Sequence, residues 1–502
     1  MGEEKERFDD AFFTTGFHGF DLLEKEFRAD GWYYARAADY VEAKEEIIRT
    51  KPQNCLIALE TGCWTLGPLA VALGIKDSVI VCHGPRGCTS PLYSLFTIYG
   101  PKIIACTQTD ERDALLGGGE KLKATLRDIV EKYRPGMIAV VETCVSSITK
   151  DDIRGICQDL EKETDIPTFP FVGSGFKFPI WPIALDEAFN HIIDRMEKAT
   201  EKNKGSINYI NFQTWPTHWF GFFEVFPYLH KIGIKLNAHI PNQMTYRELI
   251  DKFPRAELNV TRCAVQGIQS AEYAEKVLGI PYVRVPIQVS IKYTEKFIRD
   301  IAAFFGLGEE AEKVINEELE RIKYRLEKVR ERLEGKRVVI SSSGGKNITL
   351  AQLAYELGME VLWMGSYKVD SLYHDLLRDF IQSTGQDPEV QGHPSVYEIE
   401  AVVKRLKPDF FLGIPEDRAT ITAMGIPSLD HIGFTLNQHH FGFEGAVFLG
   451  ECLVNLLDNK LLPQLSPYLR KTIPLYSSAK YLETSPLALN PCSRKRGVSW
   501  PK

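Results

Sequence analysis

The sequence predicts an α/β protein of three doubly wound, Rossmann-like domains preceded by an N-terminal helical extension. Three observations predict it. A length of 502 residues corresponds to about three domains of ordinary size. A composition of 44% hydrophobic and 25% charged residues is that of a globular chain able to bury a core. Short apolar runs, β-branched or aromatic and ending in polar or glycine residues, alternate with helical stretches. That alternation is the mark of repeated βα units on parallel sheets.

The elements follow in order. Residues 1–50 hold aromatic, charged segments, FDDAFFTTGFHGFDLLEKEF and GWYYARAADYVEAKEEIIRT, expected to form helical pieces that wrap a body or a partner. The first α/β domain, 51–203, has strands in KDSVIVCHG and PGMIAVVETC and a helix in EKLKATLRDIVEKY. The polar stretch TEKNKGS near residue 203 links it to a second domain, 204–335, with strands in GSINYINFQ and AELNVTRC and a helix in SAEYAEKVLG. From Glu309 to Arg337 runs a charged helix. Its apolar positions Ile315, Leu319, Ile322, Leu326, Val329 and Leu333 recur at spacings of four and three, one stripe of a packed helix rather than a free coiled-coil arm. The third domain, 336–502, has strands in KRVVISSSGG and KPDFFLGIPED, a helix in LAQLAYELG, and a proline-containing tail. No short tandem repeat is present.

Charge and composition narrow the function. A net charge of −7 argues against a general nucleic-acid binder. No apolar run reaches the ~18 residues of a membrane span. The acidic start MGEEKERFDD lacks the layout of a secretory signal. The expectation is a cytoplasmic protein whose thiols stay reduced, which disfavours disulfides for its ten cysteines.

Most of those cysteines read as core or surface residues: Cys55, Cys106, Cys157, Cys452 and Cys492 have no loop context. Four differ. Cys63 sits in a glycine-bearing turn, Cys88 ends the turn CHGPRGC, and Cys144 and Cys263 each follow an apolar strand. Ligands of open α/β sheets bind outside the carboxyl ends of strands, and glycine there lets backbone approach a bulky group. Soft thiolates select zinc, copper(I) or iron–sulfur clusters. Structural zinc sites usually pair cysteines two to four residues apart; these are scattered singles, so zinc is the weaker reading. Cys82 reads as a strand-end packing residue, with ligation as the alternative.

The order of motifs adds a resemblance. GCWTLGPLAVALGI, HGPRGC, LLGGGEKL and ETCVSSITKDDI resemble the first domain of nitrogenase component 1 subunits. The resemblance continues through GSGF at Gly173–Phe176, AELNVTRC, IPYVRVPI, SSSGGKN, LGMEVLWMGSY, MGIP and FGFEG, and covers roughly residues 50–450. It implies three α/β domains around a buried metallocluster, in an α2β2 heterotetramer with a homologous β-type subunit. An ATP-dependent 4Fe–4S reductase component would deliver electrons.

By match, the resemblance makes Cys63, Cys88 and Cys144 ligands of an 8Fe–7S P-cluster, or of a 4Fe–4S cluster, shared with the partner subunit. It makes Cys263 the thiolate of an α-type chain that holds a second iron–sulfur metallocluster of the nitrogenase-cofactor type. A histidine near the C-terminus completes that site; His431 is nearest to the expected position, while His439 and His440 could line the pocket. Lys346 in SSSGGKN is the cation left there.

The departures are informative. Ala423 stands where nitrogenase α subunits place a lysine before MGIP, and KFPIWPIALDE and TSPLYSLFTIYG lack the expected histidine and arginine. The pocket is expected to be less cationic and more apolar, with Trp64, Tyr93, Phe96, Tyr99 and Trp181 as candidate lining residues. That fits a cofactor without molybdenum and a small apolar substrate. The best-fitting family member is methylthio-alkane reductase, which cleaves C–S bonds of volatile organic sulfur compounds. Alternatives are an iron-only or vanadium nitrogenase subunit, a cofactor-assembly scaffold, and a tetrapyrrole reductase of the F430-pathway type.

Overall fold

A computed structural model describes residues 31–32, 34–42, 49–50, 63–92, 102–173, 181–212, 216–240, 244–262, 266–366, 371–392, 394, 396–430, 440–459 and 461. Its strands form three parallel sheets. The first has the order Ile104–Cys106, Ser78–His83, Met137–Glu142, Thr168–Phe171. The second has the order Tyr282–Arg284, Leu258–Thr261, Ser206–Ile210, Lys235–Ile240. The third runs Ser428–Asp430, Phe410–Gly413, Arg337–Ser342, Glu360–Ser366, Glu389–Gly392, and takes Tyr34–Arg36 as an antiparallel edge strand. In each sheet the earliest parallel strand lies inside, with later strands on both sides. The crevice beside its carboxyl end, where the winding reverses, is where ligands of such sheets bind.

Alternation along the strands builds the core of the first sheet. Val79, Val81, Ile138 and Val140 project to one face, as period two requires. They meet Leu122, Leu126 and Ile129 of helix Gly119–Tyr133 and Ile153, Ile156, Cys157 and Leu160 of helix Ile153–Thr164. The helical residues recur at spacings of three and four, one apolar stripe per helix. Burying each large side chain contributes about 1.5–3 kcal/mol. The wholly buried helix Leu66–Gly74 also packs on Ser78–His83 and Met137–Glu142.

The chain divides into two compact units. One joins Met1–Ile57, Arg325–Phe434 and Val447–Lys502 and contains the third sheet; the other joins Ala58–Tyr324 and Thr435–Ala446 and contains the first two. The long helix spans Gly308–Leu333. It stops short of the expected Arg337 because Gly335 turns the chain at φ +73° and Arg337 already belongs to a strand. Ile315, Ile322, Val329 and Leu333 of its stripe are buried, and Leu319 and Leu326 half-buried. Of the N-terminal extension, the described residues supply one helix, Ala37–Glu42, and also strands: Gly31–Trp32 pairs with Arg49–Thr50, and Tyr34–Arg36 completes the third sheet. Residues 1–30 and the tail from 462 lie outside the described residues. None of the described helices is long and apolar enough to cross a membrane.

Candidate metal centre

The reversal point of the first sheet lies between Ser78–His83 and Met137–Glu142. Both strands end in cysteine-bearing turns. Ser78–His83 passes through Gly84 and Pro85 to Cys88, whose backbone N–H donates to the Pro85 carbonyl at 3.0 Å. Met137–Glu142 passes through Thr143 to Cys144, the first residue of a short helix. Cys63 enters from the turn before helix Leu66–Gly74, and its sulfur accepts from Thr65 Oγ1 at 3.3 Å. Cys63 is exposed, and Cys88 and Cys144 are half-buried.

A polar clip fixes the CHGPRGC turn. The His83 ring is wholly buried, with Nε2 2.8 Å from Asp151 Oδ2 and Nδ1 3.0 Å from Thr107 Oγ1. Burial pushes the imidazole below its usual range, against the pull of Asp151. Neutral His83 then donates from Nε2 to the carboxylate and accepts at Nδ1 from Thr107, a tautomer assigned from the network. Thr107 Oγ1 also accepts the Gly84 N–H at 3.0 Å. Asp151 accepts the Gly118 N–H on both oxygens at 3.0 Å. Thr143 Oγ1 and Ser146 Oγ donate to the His83 carbonyl at 3.0 and 2.8 Å. The HG, GG and DD motifs are thus one hydrogen-bonded unit that sets the turn carrying Cys88 against the helix carrying Cys144.

The glycines have different tasks. A Cβ on Gly84 would lie 2.1 Å from Thr143 Oγ1, whereas one on Gly87 would meet nothing within 4 Å. The turn is locked on its inner side and open beside Cys88.

Cys63, Cys106 and Cys144 lie within electrostatic reach of Cys88. Burial pushes Cys88 up, and Cys63, Cys144 and Cys106 add repulsion. Burial pushes Cys82 well above the ordinary thiol range, followed by Cys106, Cys88 and Cys63. Such thiols stay protonated unless a cation stabilises the thiolate, and metal binding releases those protons. Cys106 is the member that sequence reading placed elsewhere. It pairs in register with Cys82, its S–H donates to the Gly84 carbonyl at 3.3 Å, and its sulfur accepts from the Gln108 N–H at 3.4 Å. Its position after the short apolar run KIIAC was the available signal. Cys157 is a core residue. Among the described residues, no group of three or more His, Cys, Asp or Glu side chains forms a compact cage for a metal ion.

The other expected site residues are spread differently. Cys263, His431 and His439 lie outside the described residues, as do Tyr93, Phe96, Tyr99 and the side chain of Trp181. His440 is buried; its N–H donates to Glu224 Oε2 at 3.2 Å and its ring lies 4.0 Å from that of Phe441. Lys346 is buried in the first turn of helix Gly344–Glu356, which begins six residues before the apolar segment that announced it. Trp64 is buried. Arg262, beside Cys263, is also buried, and its guanidinium lies over Phe441. Nothing in the stretch AELNVTRC marks this arginine as buried.

The chain is similar to a set of known proteins. The family model for nitrogenase component 1 type oxidoreductases matches residues 63–458. The nitrogenase iron-molybdenum cofactor biosynthesis protein NifE of Methanococcus maripaludis is 26% identical over 420 residues, 80% of this chain and 85% of that protein. NifE of Clostridium pasteurianum is 27% identical over 385 residues, 74% of this chain and 82% of that protein. The nitrogenase molybdenum-iron protein alpha chain of Methanothermobacter marburgensis is 26% identical over 426 residues, 80% of this chain and 88% of that protein. A solved structure of nitrogenase Cp1 at pH 5 shares the fold with a TM-score of 0.67 at 24% identity, over 86% of this chain and 92% of that one.

Proposed function

The chain belongs to the family of nitrogenase component 1 type oxidoreductases, and from that premise we propose that it is the catalytic subunit of a nitrogenase-like reductase. The observation that supports the proposal is that Cys88 and Cys144 stand in the turns leaving the two strands that flank the winding reversal of the first sheet, with Cys63 in the turn before helix Leu66–Gly74. Cys63, Cys88 and Cys144 would hold an iron–sulfur cluster shared with a β-type partner. Soft donors, one exposed and two half-buried, suit a group that a second chain completes. An ATP-dependent iron–sulfur reductase would supply electrons. The second metallocluster would rest on Cys263 and a histidine, His431 in our reading, with His440 and Lys346 nearby in function. When bound, that group supplies the redox chemistry; the chain's residues hold it and exclude water.

The substrate we propose is a small organic sulfur compound, as in methylthio-alkane reductase. Cleavage adds electrons and protons in equal number across a C–S bond and yields methanethiol and a hydrocarbon. Ala423, buried at the end of helix Pro415–Ala423, supports an apolar pocket. Two measurements test this. Complex purified without oxygen should contain about sixteen irons per heterodimer with little molybdenum or vanadium. It should release methanethiol, ethylene and water from 2-(methylthio)ethanol, the hydroxyl leaving as water, or methanethiol and methane from dimethyl sulfide. Neither product would end the C–S reading.

A second reading is favoured by the NifE relatives, which are named for cofactor biosynthesis. In it the chain is an assembly scaffold. Transfer of bound cluster to an apo-protein, without turnover, would select it.

A further inference from the structure

Cys82 and Cys106 are two thiols that the cluster reading leaves unused. Cys82 lies on strand Ser78–His83 and Cys106 closes strand Ile104–Cys106; the strands are parallel neighbours, and the two cysteines are partners in register. Such partners stand about 4.8 Å apart, inside the Cα window of about 4.4–6.8 Å in which a disulfide closes. Both thiols project to one face of the sheet. Their predecessors, Val81 and Ala105, pack against the core on the other face.

The two differ in access. Cys82 is wholly buried, and burial above all keeps its thiol protonated. Cys106 is half-buried, so an oxidant meets it first. Its strand is three residues long, half-buried throughout, and among the described residues pairs on one side only. A short edge strand of this kind can shift to bring two β-carbons to the ~3.8 Å of a disulfide. An accessible thiol beside a resolving cysteine is the arrangement of a redox sensor.

The contacts of Cys106 give the pair an output. Its S–H donates to the Gly84 carbonyl at 3.3 Å, and its sulfur accepts the Gln108 N–H at 3.4 Å. Gly84 stands in the CHGPRGC turn that leads to Cys88. Its carbonyl also accepts the Thr109 N–H at 3.0 Å. A disulfide has no S–H, so closing it leaves that carbonyl with the Thr109 donor alone.

We propose that Cys82 and Cys106 are a redox-sensitive dithiol, reduced at rest, which closes to a disulfide when a hydroperoxide reaches Cys106 and thereby loosens the turn that carries Cys88. The Cys106 thiolate attacks the O–O bond; the hydroperoxide is reduced to an alcohol or water, and the sulfur becomes a sulfenic acid. The Cys82 sulfur then forms the S–S bond, and the sulfenic hydroxyl leaves as water with the Cys82 proton. Two thiols lose two hydrogens in all, and a thiol reductant reverses the step. Neither cysteine is among the proposed cluster ligands, so the proposal stands apart from that reading.

The test uses the full-length chain, isolated without oxygen and treated with hydrogen peroxide in the absence of denaturant. Trypsin separates the thiols: Cys82 falls in 77–86, Cys88 in 87–102 and Cys106 in 103–112. After the remaining thiols are alkylated, 77–86 and 103–112 should appear in the mass spectrum as one species, two hydrogens lighter than their sum, and come apart in dithiothreitol. Cys82→Ser should form no link and should leave on Cys106 a sulfenic acid that dimedone traps. If Cys82→Ser does not fold, Cys82→Ala takes its place. Brief trypsin treatment of the native chain should cut after the exposed Arg86 about two-fold or more faster once the wild type is oxidised. Cys106→Ser, which keeps a hydroxyl to donate to Gly84, should be cut at one rate with and without peroxide. A link from 103–112 to 87–102 overturns the proposal, as does a link that forms only in urea, or none at all. A link that leaves cleavage at Arg86 unchanged overturns its coupling to the turn.

Discussion

His83 Nε2 stands 2.8 Å from Asp151 Oδ2 across 68 residues of sequence, and both side chains are almost wholly inside the protein. The pair joins the turn before Cys88 to the end of the helix that Cys144 begins. Replacing Asp151 with Asn keeps the shape but puts an amide where the Gly118 N–H now meets an oxygen. Asp151→Asn should cost about 1–3 kcal/mol in urea unfolding and lower the iron content of anoxically isolated protein. Unchanged iron would remove the clip from the metal site.

The same pair sets a pH dependence. Burial holds His83 below its unfolded value, so the unfolded chain binds the extra proton. Its contribution is complete above about pH 6.5 and is lost as pH falls below that value. His83→Gln should flatten this part of the stability curve.

Asp186 has the opposite sign. It is buried on helix Trp181–Ile193, accepts the N–H groups of Gly267 and Ser270 at 3.0 and 2.9 Å, and is pushed up to about 7 by burial. The folded chain binds the extra proton, so stability falls as pH rises from about 4 to about 7. Asp186→Asn should abolish that slope in unfolding measured across the interval.

Gly84→Ala tests the tightness of the turn. The new methyl would collide with Thr143 Oγ1, and relief requires moving either the turn or the Cys144 helix. A loss of about 1–3 kcal/mol is expected, with reduced iron. Gly87→Ala, which meets open space within this chain, should leave the isolated chain's stability within about 0.5 kcal/mol.

Cys88→Ala and Cys144→Ala should each remove the iron of the first site, while Cys157→Ala should cost stability only, because Cys157 packs in the apolar core. Iron analysis beside urea unfolding separates the two outcomes. Equal iron loss from Cys157→Ala would show that the assay reports folding alone.

Much of the fold was legible because the strands of these sheets are buried on both faces. SVIVCH, MIAVVE and RVVISS announce themselves as apolar runs. KLNAHI and EVQG do not, since their polar residues find partners only in the folded chain: Asn237 bonds to Asn208, and Glu389 to Arg405. The cysteine turns were legible for the same local reason, a strand ending in glycine. Cys106 was not, because three residues make a weak strand signal. Arg262 was invisible for a deeper reason. A cation at a strand end reads as solvated until a ring such as Phe441, far along the chain, covers it.

The antiparallel edge strand Tyr34–Arg36 has a consequence for biosynthesis. Arg36 bonds to Asp387, 351 residues later, beside a strand that the ribosome delivers only late in translation. At about 5–20 residues per second, that pairing waits roughly 20–70 s, with a β-prone segment unpaired throughout. Conversely, a chain shortened past Arg36 would leave the backbone of Glu389–Gly392 without its edge partner, open to other strands. A missing N-terminus would then be felt first as aggregation of the last domain to be made.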